Sequence, residues 1–127
     1  MAVTIGSVDC DRAYGRPPTT DGGSFRLVVE KIDTSANVET WVGQLKALAV
    51  ALESWTRPGV DGYGLRTLDS RTSSGITITL ADATTYTQCV IGDPSTRNPV
   101  RVTEKKACEI GGSLYYVCRV ELLGFRF

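Results

Sequence analysis

Four thiols and no histidine set the chemistry open to this 127-residue chain. The thiols belong to Cys10, Cys89, Cys108 and Cys118, while zinc sites are usually built from paired ligands about two to four residues apart. Without histidine, the usual base of nucleophilic triads and the commonest metal ligand are both missing. No metal site and no cofactor are therefore expected. Disulfides are disfavoured by the cytosolic setting that the sequence suggests. Cys108 and Cys118 flank Gly111-Gly112 in an expected hairpin; a two-residue turn there sets Cys108 opposite Tyr115, and only a longer loop or a bulge would align the two cysteines. The four residues read as small, half-buried, reduced thiols.

Other catalytic constellations fare no better. Asp61, Asp69, Asp82 and Glu121 are formal candidates for paired-carboxylate hydrolysis, but each sits in a context typical of a turn or a solvated strand face. No serine stands in a Gly-x-Ser-x-Gly elbow. Gly59-Val60-Asp61-Gly62-Tyr63-Gly64 follows a helical pattern instead of opening one, and it lacks the lysine and hydroxyl pair of a phosphate-binding loop. Asp9-Cys10-Asp11 and Asp21-Gly22-Gly23 hold too few spaced oxygens for an EF-hand. No catalytic residue is assigned, and the chain reads as non-enzymatic. Lys+Arg and Asp+Glu number 14 each, so no basic excess draws it to phosphate backbones or anionic membranes. Neither nucleic acid nor membrane is an expected partner. Arg12, Arg16, Arg57, Arg66, Arg71, Arg97 and Arg101 fall mostly in or beside expected loops, as a solvated surface or a salt-bridged subunit contact would have them.

The elements that must carry these residues are mostly β. One domain over 1–127 is expected at this length, able to bury roughly two-thirds of its unfolded surface. Thirteen glycines, five prolines and 42% hydrophobic residues suit a turn-rich β protein. No apolar run approaches the roughly 20 residues of a bilayer span, and Met1 to Gly6 lacks the pattern of a signal peptide, so an intracellular, soluble protein is expected. Residues 3 to 10 alternate as a first strand, Asp11 to Ser24 read as a loop, and Phe25 to Ile32 as a strand. Val38, Trp41, Val42, Leu45, Leu48, Ala49, Leu52 and Trp55 recur at helical spacing, which predicts one amphipathic helix over Val38 to Trp55. Ser35 or Asn37 would cap it and Arg57-Pro58-Gly59 would stop it. The two tryptophans read as core anchors. Strands are predicted over Gly64 to Asp69, Ile76 to Leu80 and Thr84 to Ile91. After a polar loop from Gly92 to Pro99, a hairpin joins Val100 to Ile110 with Ser113 to Leu122. The whole predicts an antiparallel β-sandwich or partly closed barrel of about six to eight strands beside one helix.

This order of strands, one helix, an Arg57-Pro58-Gly59-Val60-Asp61-Gly62 turn and a β-meander resembles small tail proteins of bacteriophages, of the tail-tube, distal-tail and baseplate-hub kind. The resemblance implies a non-enzymatic structural subunit of a virion tail, assembled in the host cytoplasm. It would form a ring homo-oligomer, a hexamer, and meet other tail proteins. Intersubunit contacts are then expected from Arg12, Tyr14 and Arg16 and from the aromatic end, Phe125 and Phe127, whose exposure on a monomer would cost solubility. The alternative is a cytosolic β-rich binding module for a peptide or small ligand.

Overall fold

The structure of the chain, a computed structural model, describes residues 3–18, 23–49, 75–92 and 99–126. Among the described residues, eight antiparallel strands form one hydrogen-bonded sheet flanked by one helix. This is the expected α+β class, and the ladder does not close into a barrel.

The predicted first strand is instead a tight hairpin of β1 (Val3–Ile5) and β2 (Val8–Cys10). Gly6 makes the turn at φ +61°, a conformation that costs residues with a Cβ about 1–2 kcal/mol. The stretch Asp11 to Ser24, predicted as a loop, holds the edge strand β3 (Arg12–Arg16) and the start of β4 (Gly23–Asp33). Polar composition misled here, because a strand with one wet face and an outer side that no described strand pairs needs few apolar residues. Only Asp11 separates β2 from β3. Its N–H donates to Glu30 O at 2.9 Å and its carboxylate accepts from the Ile32 N–H at 2.7 Å, which fixes the corner.

Helix α1 (Ser35–Ala47) begins earlier and ends sooner than predicted. Thr34, neither Ser35 nor Asn37, is the cap: its hydroxyl accepts from the Asn37 N–H at 3.4 Å, while Asp33 accepts from Thr34 N and Asn37 Nδ2. Leu48 and Ala49 tighten into three-residue turns, and Ala49 then bridges to Ile91, so a sheet contact draws the chain out of the helix. Trp55, the Arg57-to-Gly62 turn and the strand predicted over Gly64 to Asp69 lie outside the described residues.

The rest of the sheet comprises β5 (Ile76–Thr79), β6 (Thr85–Ile91), β7 (Val100–Ile110) and β8 (Ser113–Arg126). Gln88, at φ +58°, bulges out of β6, so Ile76 pairs with Cys89 but Ile78 with Tyr86. The predicted alternation of β6 fails at that residue, and Cys89, Val90 and Ile91 are all buried.

Sheet order is β2-β1-β5-β6-β8-β4-β3, with β7 on β8 as well. Strand β8 pairs along one side with β4 from Tyr116 to Arg126. Its other side is shared, Ser113 to Leu122 with β7 and Gly124 to Arg126 with β6. The sheet curls about a core in which Leu27, Val29, Val120 and Leu122 meet Val3, Ile5, Ile78 and Ile91, and Val38, Trp41 and Leu45 of α1 seal it. Gly124 is required where it stands: the Phe25 ring lies across it, and a Cβ there would sit 2.5 Å from Val90 O.

In urea denaturation, Leu45→Ala should cost about 2–5 kcal/mol, because its side chain is fully buried. Gly124→Ala should cost about 1–3 kcal/mol by overpacking, an effect that Phe25→Leu in the same chain should partly relieve.

Candidate binding surface

Successive residues of a strand point to opposite faces, so the sheet segment β3-β4-β8-β7 has one face on the core and one turned from it. On the outer face one cross-strand row reads Arg12, Glu30, Arg119, Glu104, each opposite the next. Arg119 donates through Nε to Glu30 at 2.9 Å and through one terminal nitrogen to Glu104 at 2.7 Å. Glu30 is only 4% exposed, the one buried charged side chain among the described residues. The two carboxylates hold the Arg119 pKa above its ordinary value, the bond to Glu30 contributing most. A neighbouring pair, Arg26 with Glu121, continues the charge pattern.

The predicted contact residues fall on this face. Arg12, Tyr14 and Arg16 alternate along β3 and are exposed, and Phe125 of β8 lies on the same side, half-buried. Phe127 is outside the described residues. What the sequence reading did not assemble was the row itself. Glu30 breaks an apolar strand and Arg119 another, and those two interruptions were the available signal; only the register sets them opposite. Of the four formal carboxylate candidates the structure describes two, and each is engaged elsewhere. Asp82 caps a turn, accepting from Thr84 N at 3.0 Å, and that bonding lowers its pKa. Glu121 is taken by Arg26, and Asp61 and Asp69 lie outside the described residues.

Strands β7 and β8 run past the core as a two-stranded arm. Cys118, expected to be half-buried, is fully buried with Val120 and Leu122, but toward the tip Leu114 is 60% and Ile110 51% exposed, since no described element covers them. Cys108 pairs with Tyr115 as the turn length required. The outer side of β7 is paired by no strand among the described residues. Between α1 and the arm runs an apolar groove of about 170 Å³ floored by Val38, Val42, Val102 and Cys118, with the Lys105–Glu39 ion pair at 3.4 Å beside it. A second, polar cleft of about 300 Å³ lies at the start of α1, lined by Asp9, Lys31, Asp33, Asn37, Trp41 and Gln44. Its Asp33 carboxyl is already engaged by Asn37 and Thr34, which lower its pKa.

All four cysteines are free, and Cys10, Cys89 and Cys118 are buried. Burial pushes the Cys10 and Cys89 thiols up to about 11 and raises Cys118. The Trp41 indole N–H opposes this slightly at Cys10, facing the sulfur too loosely for a hydrogen bond. These thiols are poor nucleophiles near neutral pH. Among the described residues no three acidic, thiol or imidazole groups gather as a metal site, and no helix is long and apolar enough to cross a membrane. No protein-family model, no curated protein and no solved structure matches this chain.

Arg119→Gln should destabilise the fold by stranding the buried Glu30 carboxylate, and Glu30→Gln in the same chain should recover part of the loss. A strictly additive double mutant in urea titrations would contradict the coupling. A raised thiol pKa favours the folded state while the thiols stay neutral, so this stabilisation is whole below the unfolded value of 9.0 and is lost as pH rises toward about 11. Melting temperature should accordingly fall across that window, and Cys10→Ala should flatten the fall.

Proposed function

We propose that this chain is a β-rich binding module, not an enzyme, and that it takes an extended polypeptide as an added strand along β7. The observation that carries the reading is the outer side of β7, an 11-residue strand whose backbone groups on that side no described strand pairs. Such a row of N–H and C=O groups is a ready template for a further strand, with the backbone supplying affinity and alternate side chains selectivity. The neighbouring surface supports the same reading. Val102, 46% exposed, and the apolar groove beside it offer a place for side chains of an added strand, and Leu114 carries apolar surface further along the same face of the arm. The polar cleft at α1 is a weaker base for small-ligand binding, because its Asp33 is committed to the helix cap. A structural subunit of a bacteriophage-like tail, as the resemblance implies, is a narrower form of this reading, in which the polypeptide belongs to another tail subunit.

The test is selection from a random decapeptide library, with the winners mapped by backbone chemical shifts. The reading expects shifts along residues 100–110 and loss of binding in Ala107→Pro, placed to disturb strand addition. Winners that shift Asp9, Lys31 and Gln44 instead would support the small-ligand cleft, and no winners at all would contradict strand addition.

A further inference from the structure

We infer that the strand received by β7 is β3 of a second copy of this chain, an inference that rests on the strand-addition reading. Segment β3-β4-β8-β7 contains four strands of alternating direction, bounded by two outer sides that no described strand pairs, one on β3 and one on β7. Because the number is even, a second copy of β3 laid along β7 runs antiparallel to it and keeps its outer face on the same side. The pairing needs no inversion of either sheet.

Charge sets the register. Within one chain the row alternates in sign, Arg12, Glu30, Arg119, Glu104. Among the described residues it ends on one side with Arg12, an exposed cation without an ion pair, and on the other with Glu104, half-exposed and held by Arg119 alone. Setting Arg12 of the second copy opposite Glu104 continues the alternation across the junction and gives Glu104 a cation on each side, as Glu30 has in the register. The Thr103 bulge, which lies between the Val102 and Glu104 pairings, then brings Ala13 of the second copy against Val102 on the core side. An isologous pairing of two β7 strands in the same row places Glu104 against Glu104 instead, and directly opposed like charges destabilise.

Joining β3 to β7 is head-to-tail. Each added copy exposes a new β7, so association does not stop at two and ends as a closed ring or an open chain according to the turn per copy.

Native mass spectrometry at tens of micromolar tests this, with zero-length carbodiimide cross-linking of the Arg12→Lys variant, whose new amine can be joined to a carboxylate. Positions 12 and 104 of one chain lie three strands apart, about 14 Å, so a link from position 12 to Glu104 joins two copies. The inference expects species beyond the dimer, that cross-link in Arg12→Lys, and at least a tenfold loss of assembly in Arg12→Glu; because Arg12→Glu also sets a like charge opposite Glu30, the neutral Arg12→Gln, whose thermal melt should stay near the parent since the side chain is exposed, should lose assembly as well. A dimer that stops at two, or assembly unmoved by Arg12→Glu, overturns it. So does a protein still monomeric at high concentration. If selected peptides nevertheless bind along β7, strand addition survives and the second copy alone is wrong. If β7 binds nothing, both fail.

Discussion

Everything in this fold hangs on β8 having both sides occupied along nearly its whole length. One side is given to β4, and the other is divided between β7 and β6, with Leu123 bonded to Gly92 and Pro99 at the changeover. A strand used this way must satisfy two faces and two sides at once. Its core face reads Cys118, Val120, Leu122, then Gly124, where the Phe25 ring takes the space a side chain would need. The outer face carries Arg119 and Glu121, each bonded to a carboxylate or guanidinium on a neighbouring strand.

That division explains how a chain of zero net charge arranges its charges. The hydrophobic effect places the apolar half of each strand under α1 and the β1–β2 hairpin. Glu30 is left buried on the other face, which is tolerable only because Arg119 bonds it directly and is itself shared with Glu104. The pairs are partly wet and add modest stability, but they fix which residue faces which, and so the register of four strands. The same alternation defines what a fifth strand must carry to fit.

Much of this was legible in the sequence, and the failures have physical causes. The period-two pattern of Ile76 to Leu80 and of Ser113 to Leu122 gave true strands, and Gly111-Gly112 gave a two-residue turn with Cys108 opposite Tyr115. The helix was visible from Val38, Trp41 and Leu45, but its end was not, since Ala49 leaves it for a tertiary bridge to Ile91 that no local propensity encodes. Arg12 to Arg16 looked like loop because an edge strand with one wet face carries loop-like composition. Gln88 adopts a left-handed conformation without being glycine, so its bulge had no sequence mark. The candidate contact residues Arg12, Tyr14, Arg16 and Phe125 share one face, yet their partners Glu30, Arg119 and Glu104 emerge only from strand register.

The central claim is that β8 is sealed on both sides while β7 keeps one side that no described strand pairs. Residue-resolved amide hydrogen exchange at a concentration low enough to hold the protein monomeric tests it most directly. The account predicts uniformly slow exchange from Tyr116 to Leu122, and along β7 an alternation of slow amides bonded to β8 with fast amides facing outward. Uniform protection along β7 in the monomer, or β8 exchanging as early as β7, would contradict it.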